Sequence, residues 1–160
     1  MKVFEIGSPP QDAFFEDFKV GHTMVTEGRT VTEADVINFA GLSGDFHPLH
    51  TSEAYAAKHL YGRRIAHGVL GVAIATGLAM SLGIINKSII AFRGLTAKFS
   101  KPVFIGDTIY ARFVITQLKP MPRMGGGLVE MESKVFNQCD EVVQTGTWSI
   151  ISRLREDQDG

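Results

Sequence analysis

Residues 65–85 limit how this chain can fold more than any other stretch: they include no Asp, Glu, Lys or Arg and run almost unbroken in Ala, Gly, Val, Leu, Ile and Met. A segment this long and this apolar is either close to a membrane span or a helix buried by the rest of its own protein. Gly68, Gly71, Gly77 and Gly83, with Gly62 just before them, suit close packing, and no aromatic belt flanks the segment. The reading is a central helix inside a protein with no membrane association, starting near His67 or Gly68 and ending at about Leu82.

The rest of the chain has a different period. Residues 23–31 alternate and are rich in Thr and Val, as a strand would be. Thr32-Glu33-Ala34-Asp35 has the form of a capping box opening a helix to about Leu42, with Val36, Ile37, Phe39 and Ala40 on its buried side. Thr51 or Ser52 can cap a short helix that ends near Leu60, before Gly62. Beyond the central helix, residues 89–99, 108–118, 127–137 and 141–152 read as four antiparallel strands. Turn signals separate them at 102–107, 120–126 and 137–140. Residues 121–127 suggest a mobile hairpin loop, and residues 155–160 a frayed tail. About five strands and one helix that is apolar all round make an α+β chain, and wrapping the sheet around the helix satisfies both elements. That is the hot-dog arrangement, whose exposed sheet edge favours pairing with a second copy.

At 160 residues and 44% apolar content, the chain is expected to form a single domain over 1–160, with its core at about 15–152. The 16 basic and 17 acidic residues nearly cancel, which argues against a nucleic-acid or membrane-surface protein. Their distribution is uneven. Between Ala54 and Gly106 there is no acid, whereas Lys58, Arg63, Arg64, Lys87, Arg93, Lys98 and Lys101 all fall there, so an anionic ligand is favoured in this region. A lone cysteine, Cys139, permits no internal disulfide, and residues 1–10 lack the apolar core of a signal peptide. A reducing, cytoplasmic setting is the expectation.

The chemistry concentrates in Gly44-Asp45-Phe46-His47-Pro48-Leu49-His50. Pro48 disfavours the helical region for His47, so the sequence places Asp45 and His50 on an irregular connection. A carboxylate and an imidazole brought together can hold a water molecule and exchange its proton near neutral pH. Eighteen residues beyond His50, Gly68 opens the central helix. Its backbone amide has no partner within the helix and lies at the positive end of the helix dipole, which suits it to binding a developing oxyanion.

These pieces resemble the MaoC-like dehydratase family, which includes the (R)-specific enoyl-CoA hydratases. The likeness covers residues 15–152 and is carried by Gly28-Arg29-Thr30-Val31-Thr32-Glu33-Ala34-Asp35, Leu42-Ser43-Gly44-Asp45-Phe46-His47-Pro48-Leu49-His50, Ile65-Ala66-His67-Gly68, Phe99-Ser100-Lys101-Pro102-Val103 and Gly106-Asp107-Thr108. The resemblance implies a hot-dog homodimer or higher oligomer that reversibly hydrates 2-enoyl thioesters to 3-hydroxyacyl thioesters. It implies Asp45 and His50 as the catalytic pair and the Gly68 amide as the oxyanion donor. It also implies a coenzyme A or acyl carrier protein thioester as substrate, with no separate cofactor. One departure stands out: His47 occupies a position where the family commonly has Asn.

Plainer roles compete for each residue. Asp45 can merely brace a turn, and His50 can be a surface residue ahead of a helix. A metal set drawn from Asp45, His47, His50 and His59 is disfavoured, because Pro48 separates the two close histidines and no helix-borne ligand spacing is present. His67 reads as a helix-start or supporting residue, and Thr76 as packing or as a hydroxyl that orients Asp45. Two other functions remain open. A hot-dog thioesterase would typically place a carboxylate on or beside the central helix, and here the helix itself carries none. A non-catalytic acyl-thioester binding module would not need Asp45 and His50 to converge.

Overall fold

The computed structural model describes residues 7–156. In chain order its elements are β1 (Thr23–Val25), β2 (Arg29–Thr30), α1 (Glu33–Ser43), α2 (Pro48–Thr51), α3 (Glu53–Ala56), α4 (Gly68–Ser81), β3 (Ile89–Leu95), β4 (Lys98–Phe99), β5 (Thr108–Met121), β6 (Gly126–Phe136) and β7 (Val142–Arg153). The principal strands form one antiparallel sheet in the order β1-β5-β6-β7-β3, with β2 added to β5 and β4 to β7. This is the hot-dog fold: the sheet curls over α4, whose Leu70, Ile74, Ala75 and Leu78 share a core with Ile109, Phe113, Val129, Trp148 and Ile150.

Local chemistry sets the boundaries. The capping box forms as expected: Thr32 Oγ1 accepts from Asp35 N–H (3.2 Å), and Asp35 Oδ2 accepts from Thr32 N–H (2.8 Å). Val36 and Ala40 are buried, but Ile37, expected on the same face, is largely exposed. The strand expected over residues 23–31 is broken, because Val25 faces Arg112 and Arg29 faces Ile109, which sets four steps against three. At the bulge the Thr26 hydroxyl accepts from Ala111 N–H (2.9 Å), standing in for a backbone carbonyl. Thr96 does the same between β3 and β4, accepting from Thr147 N–H at 3.0 Å. The strand expected over 89–99 is therefore also two pieces.

Other expectations need correcting. β5 runs through Pro120, which had marked a turn; β1 reaches only as far as Val114 on that strand, so Pro120 has a neighbour on one side only and its missing N–H disrupts no second ladder. Residues 121–127 form a tight 3-10 turn over Pro122–Met124 rather than a loose loop, and Gly127 presses against the Phe15 ring. Arg155 is tied down, with its N–H donating to the Glu16 carboxylate and its guanidinium paired to Asp17 at 2.6 Å. Of the expected tail, residues 157–160 lie outside the described range, as do residues 1–6 of the N-terminal stretch. At 14 residues α4 is shorter than the apolar run, and among the described residues no helix is long and apolar enough to cross a membrane. Nor is α4 covered on every side, since Val69, Ala73, Gly77 and Met80 line an exposed stripe.

Candidate active site

Three segments meet at the N-terminus of α4. Gly44 closes α1 in the left-handed region (φ 78°), a conformation in which most side chains are strained, and turns the chain into Asp45. The Asp45 carboxylate then accepts from His47 N–H (3.1 Å), so the turn-bracing role is real. Pro48, expected to keep this region irregular, instead starts the single helical turn of α2 from its N1 position, where its missing N–H costs nothing. The His47 ring caps that turn, its Nδ1 accepting from Leu49 N–H at 3.1 Å. A neutral imidazole thus does here the capping work an Asn carboxamide oxygen can do, which explains how His is accommodated at this position. His50 follows on the same turn.

Arg64 holds these pieces together. Its guanidinium binds Glu33 at the start of α1 (2.6 Å) and Glu53 at the start of α3 (2.5 Å), and burial of much of its side chain shields both pairs. The two carboxylates push the Arg64 pKa up, and the Arg64 hydrogen bond holds the Glu33 carboxyl below its ordinary range. Sequence reading missed this staple. The only signal for it was an arginine in an acid-free stretch, because its partners lie 31 and 11 residues away.

The catalytic candidates converge. One side-chain donor atom from each of Asp45, His50 and His67 lies within 4.8 Å of the others. His50 Nδ1 lies 2.8 Å from Ile65 O; a carbonyl only accepts, so Nδ1 carries the proton and Nε2 presents a lone pair. Partial burial of the ring lowers its pKa, with smaller opposing effects from Ile65 and Asp45, which favours the neutral base at pH 7. The His50 and His67 rings stack with centroids 3.8 Å apart and planes 27° apart.

Gly68 is the first residue of α4, so its N–H has no acceptor within the helix. It opens into a cavity of about 340 Å³ lined by His50, His67, Phe99, Lys101 and Gln144. A Cβ on Gly68 would lie 2.8 Å from the Phe99 ring, so any side chain there has to push that ring aside. Thr76 does not reach this site: its hydroxyl donates to Ala73 O (2.7 Å), and it lines a separate apolar cavity beside Met80 and Trp148. His59 lies against Tyr55 and outside the converging set.

Residues 17–135 match the MaoC like domain. The chain belongs to the MaoC-like family. It is 38% identical over 104 residues to Protein MaoC of Klebsiella aerogenes, an alignment that covers 64% of this chain and only 30% of that relative's length. It is 37% identical over 113 residues to an (R)-specific enoyl-CoA hydratase of Rhodospirillum rubrum, covering 67% of this chain and 72% of the relative. The crystal structure of the MaoC-like dehydratase from Rhodospirillum rubrum superposes with a TM-score of 0.81 at 28% identity, over 90% of this chain and 99% of that one. Within this MaoC-like fold, Asp45 and His50 come together with His67, and His50 shares its cavity with Gly68.

Proposed function

We propose that this MaoC-like chain is a hydro-lyase that reversibly adds water to 2-enoyl thioesters, forming 3-hydroxyacyl thioesters of R configuration. The observation that carries the reading is the meeting of the Asp45 carboxylate and the His50 imidazole beside the free amide of Gly68. The Asp45 carboxylate and the His50 Nε2 lone pair hold one water. His50 accepts a proton as the water oxygen bonds to the β carbon. The alkene electron pair shifts onto the thioester oxygen, where Gly68 N–H and the α4 dipole stabilise it. Returning a proton from the site to the α carbon completes the addition, and elimination is the reverse. Written this way, the reaction uses protein groups and water alone.

The convergence favours catalysis over a passive binding module, and the absence of any carboxylate on α4 disfavours thioester hydrolysis. R configuration follows the name of the Rhodospirillum rubrum relative. Coenzyme A is the proposed carrier: Arg63, which no ion pair among the described residues engages, lies in a groove that shares Lys101 with the catalytic cavity. A second copy of this chain is the proposed partner. Edge strand β3 exposes Ile90, Phe92 and Leu95, and α4 exposes Val69, which with Phe99 lines the cavity at the start of that helix.

The test is to add the protein to crotonyl-CoA and follow both conjugation absorbance and free thiol. Absorbance falls without thiol release if the reading holds; thiol release identifies a thioesterase instead. His50→Ala and Asp45→Asn each lose about a thousandfold in rate, and wild-type rates in both contradict the assignment.

A further inference from the structure

We infer that His67 is a positioning residue: a buried ring that clamps the backbone of Asp45 with its edge and supports the ring of His50 with its face. The inference rests on the catalytic pair proposed above and gives that pair its third member.

The tautomer follows from hydrogen-bond chemistry. His67 Nε2 lies 2.9 Å from the backbone carbonyl of Asp45, which can only accept, so Nε2 carries the proton. Nδ1 is buried and meets no polar partner. The residue is 4% exposed, wedged between Phe39 (centroids 5.0 Å apart) and His50, at the N-cap of α4.

Both contacts serve the reaction. Asp45 is otherwise an exposed loop residue, and the His67 clamp fixes its backbone against the start of α4, where the Gly68 amide is also presented. One side chain therefore sets the spacing between carboxylate and oxyanion donor. When His50 takes a proton from water, the cation forms against the face of the stacked His67 ring. Groups that face or share the cavity with His50 are Asp45 and His47 from its own loop, His67 from α4, Tyr61 and Arg64 from the segment before α4, and Lys101 across the cavity. His67 is the one whose ring lies flat on His50.

Two substitutions separate the roles. His67→Gln keeps an N–H donor for Asp45 O and removes the stacked ring; His67→Phe keeps a ring and removes the donor. The pH profile of crotonyl-CoA hydration is measured for both alongside wild type, with thermal melting to confirm folding. His50 is also titrated by NMR in wild type and His67→Gln. His67→Gln is expected to retain kcat within about fivefold while the acid limb moves up in pH, as His50 loses the cover of the ring. His67→Phe is expected to leave the limb in place and lose kcat by about tenfold or more, the usual cost of unpairing a positioned polar group. If Gln leaves both the limb and the His50 titration unchanged, or if both variants lower only the melting temperature, the inference is overturned. Should wild type hydrate nothing, the function proposed above fails, and the NMR titration alone decides: a His50 shift in the Gln variant supports the coupling, and identical titrations refute it.

Discussion

The two ends of α4 border cavities of similar size, about 340 Å³ at the N-terminus and 320 Å³ towards the C-terminus, but only one is equipped for chemistry. The first meets imidazoles, a free helix amide, a lysine and a carboxamide. The second is walled by Met24, Met80, Phe92, Phe113 and Trp148, and its one hydroxyl, on Thr76, is spent on the helix backbone. Volume does not distinguish the ends, whereas helix polarity does. Unpaired amides and the positive dipole end stabilise developing negative charge at one mouth, while the other can only shelter apolar groups.

Substitutions at each end should therefore act differently. The largest effect comes from crowding the equipped end: Gly68→Val drives Phe99 from its place and masks the amide, cutting kcat by about a hundredfold or more, as loss of an oxyanion donor does. Near-normal turnover would show that the amide is not used. Next is pH. Burial lowers the His50 pKa and the base must be neutral, so kcat/KM should rise with pH and level off with its midpoint below 6.5. On the acid side it should fall about tenfold per unit. The same sign holds for stability, because the unfolded chain protonates His50 first as pH falls through 6.5, and acid then favours unfolding. A midpoint above 6.5 would contradict the assignment of the base.

Arg64→Ala releases α1 and α3 from the segment that carries Ile65. Since Glu33 and Glu53 are both more than half exposed, the stability loss is about 1 kcal/mol, or roughly 3 °C in Tm. A larger fractional loss in kcat than in stability would mark the staple as a site support. Smallest of all is the far cavity, where Thr76→Val should leave hydration of crotonyl-CoA within about twofold. A strong loss there would mean the two ends are coupled.

Much of this was legible in the sequence because the deciding features are local. The capping box, the start of α4 and the Asp45 to His50 motif each depend on neighbours within a few residues, and the family motif covers the candidate residues Asp45, His50 and Gly68. Threonine-filled bulges were not legible: Thr26 and Thr96 break their strands by bonding to Ala111 and Thr147, partners chosen by the sheet. Pro48 keeps His47 out of the helical region as expected (ψ 135°), but the helical turn it starts was not foreseen, because proline is tolerated at the first helical position; Pro120 was misjudged because strand neighbours cannot be counted from one segment. The Arg64 staple and the His50–His67 stack join residues across loops, so no periodicity announces them. Thr76 packs, as one of its two readings had it, and the other, orienting Asp45, fails because depth along a helix does not reveal which cavity a side chain lines.

The central claim is that Asp45 and His50 act on one shared water, and a double-mutant cycle on hydration of crotonyl-CoA tests it most directly. Asp45→Asn, His50→Ala and the double variant should all fall to nearly the same residual rate, because removing either partner already disables the unit. Losses that simply multiply in the double variant would show that the two residues work separately, and would contradict the account.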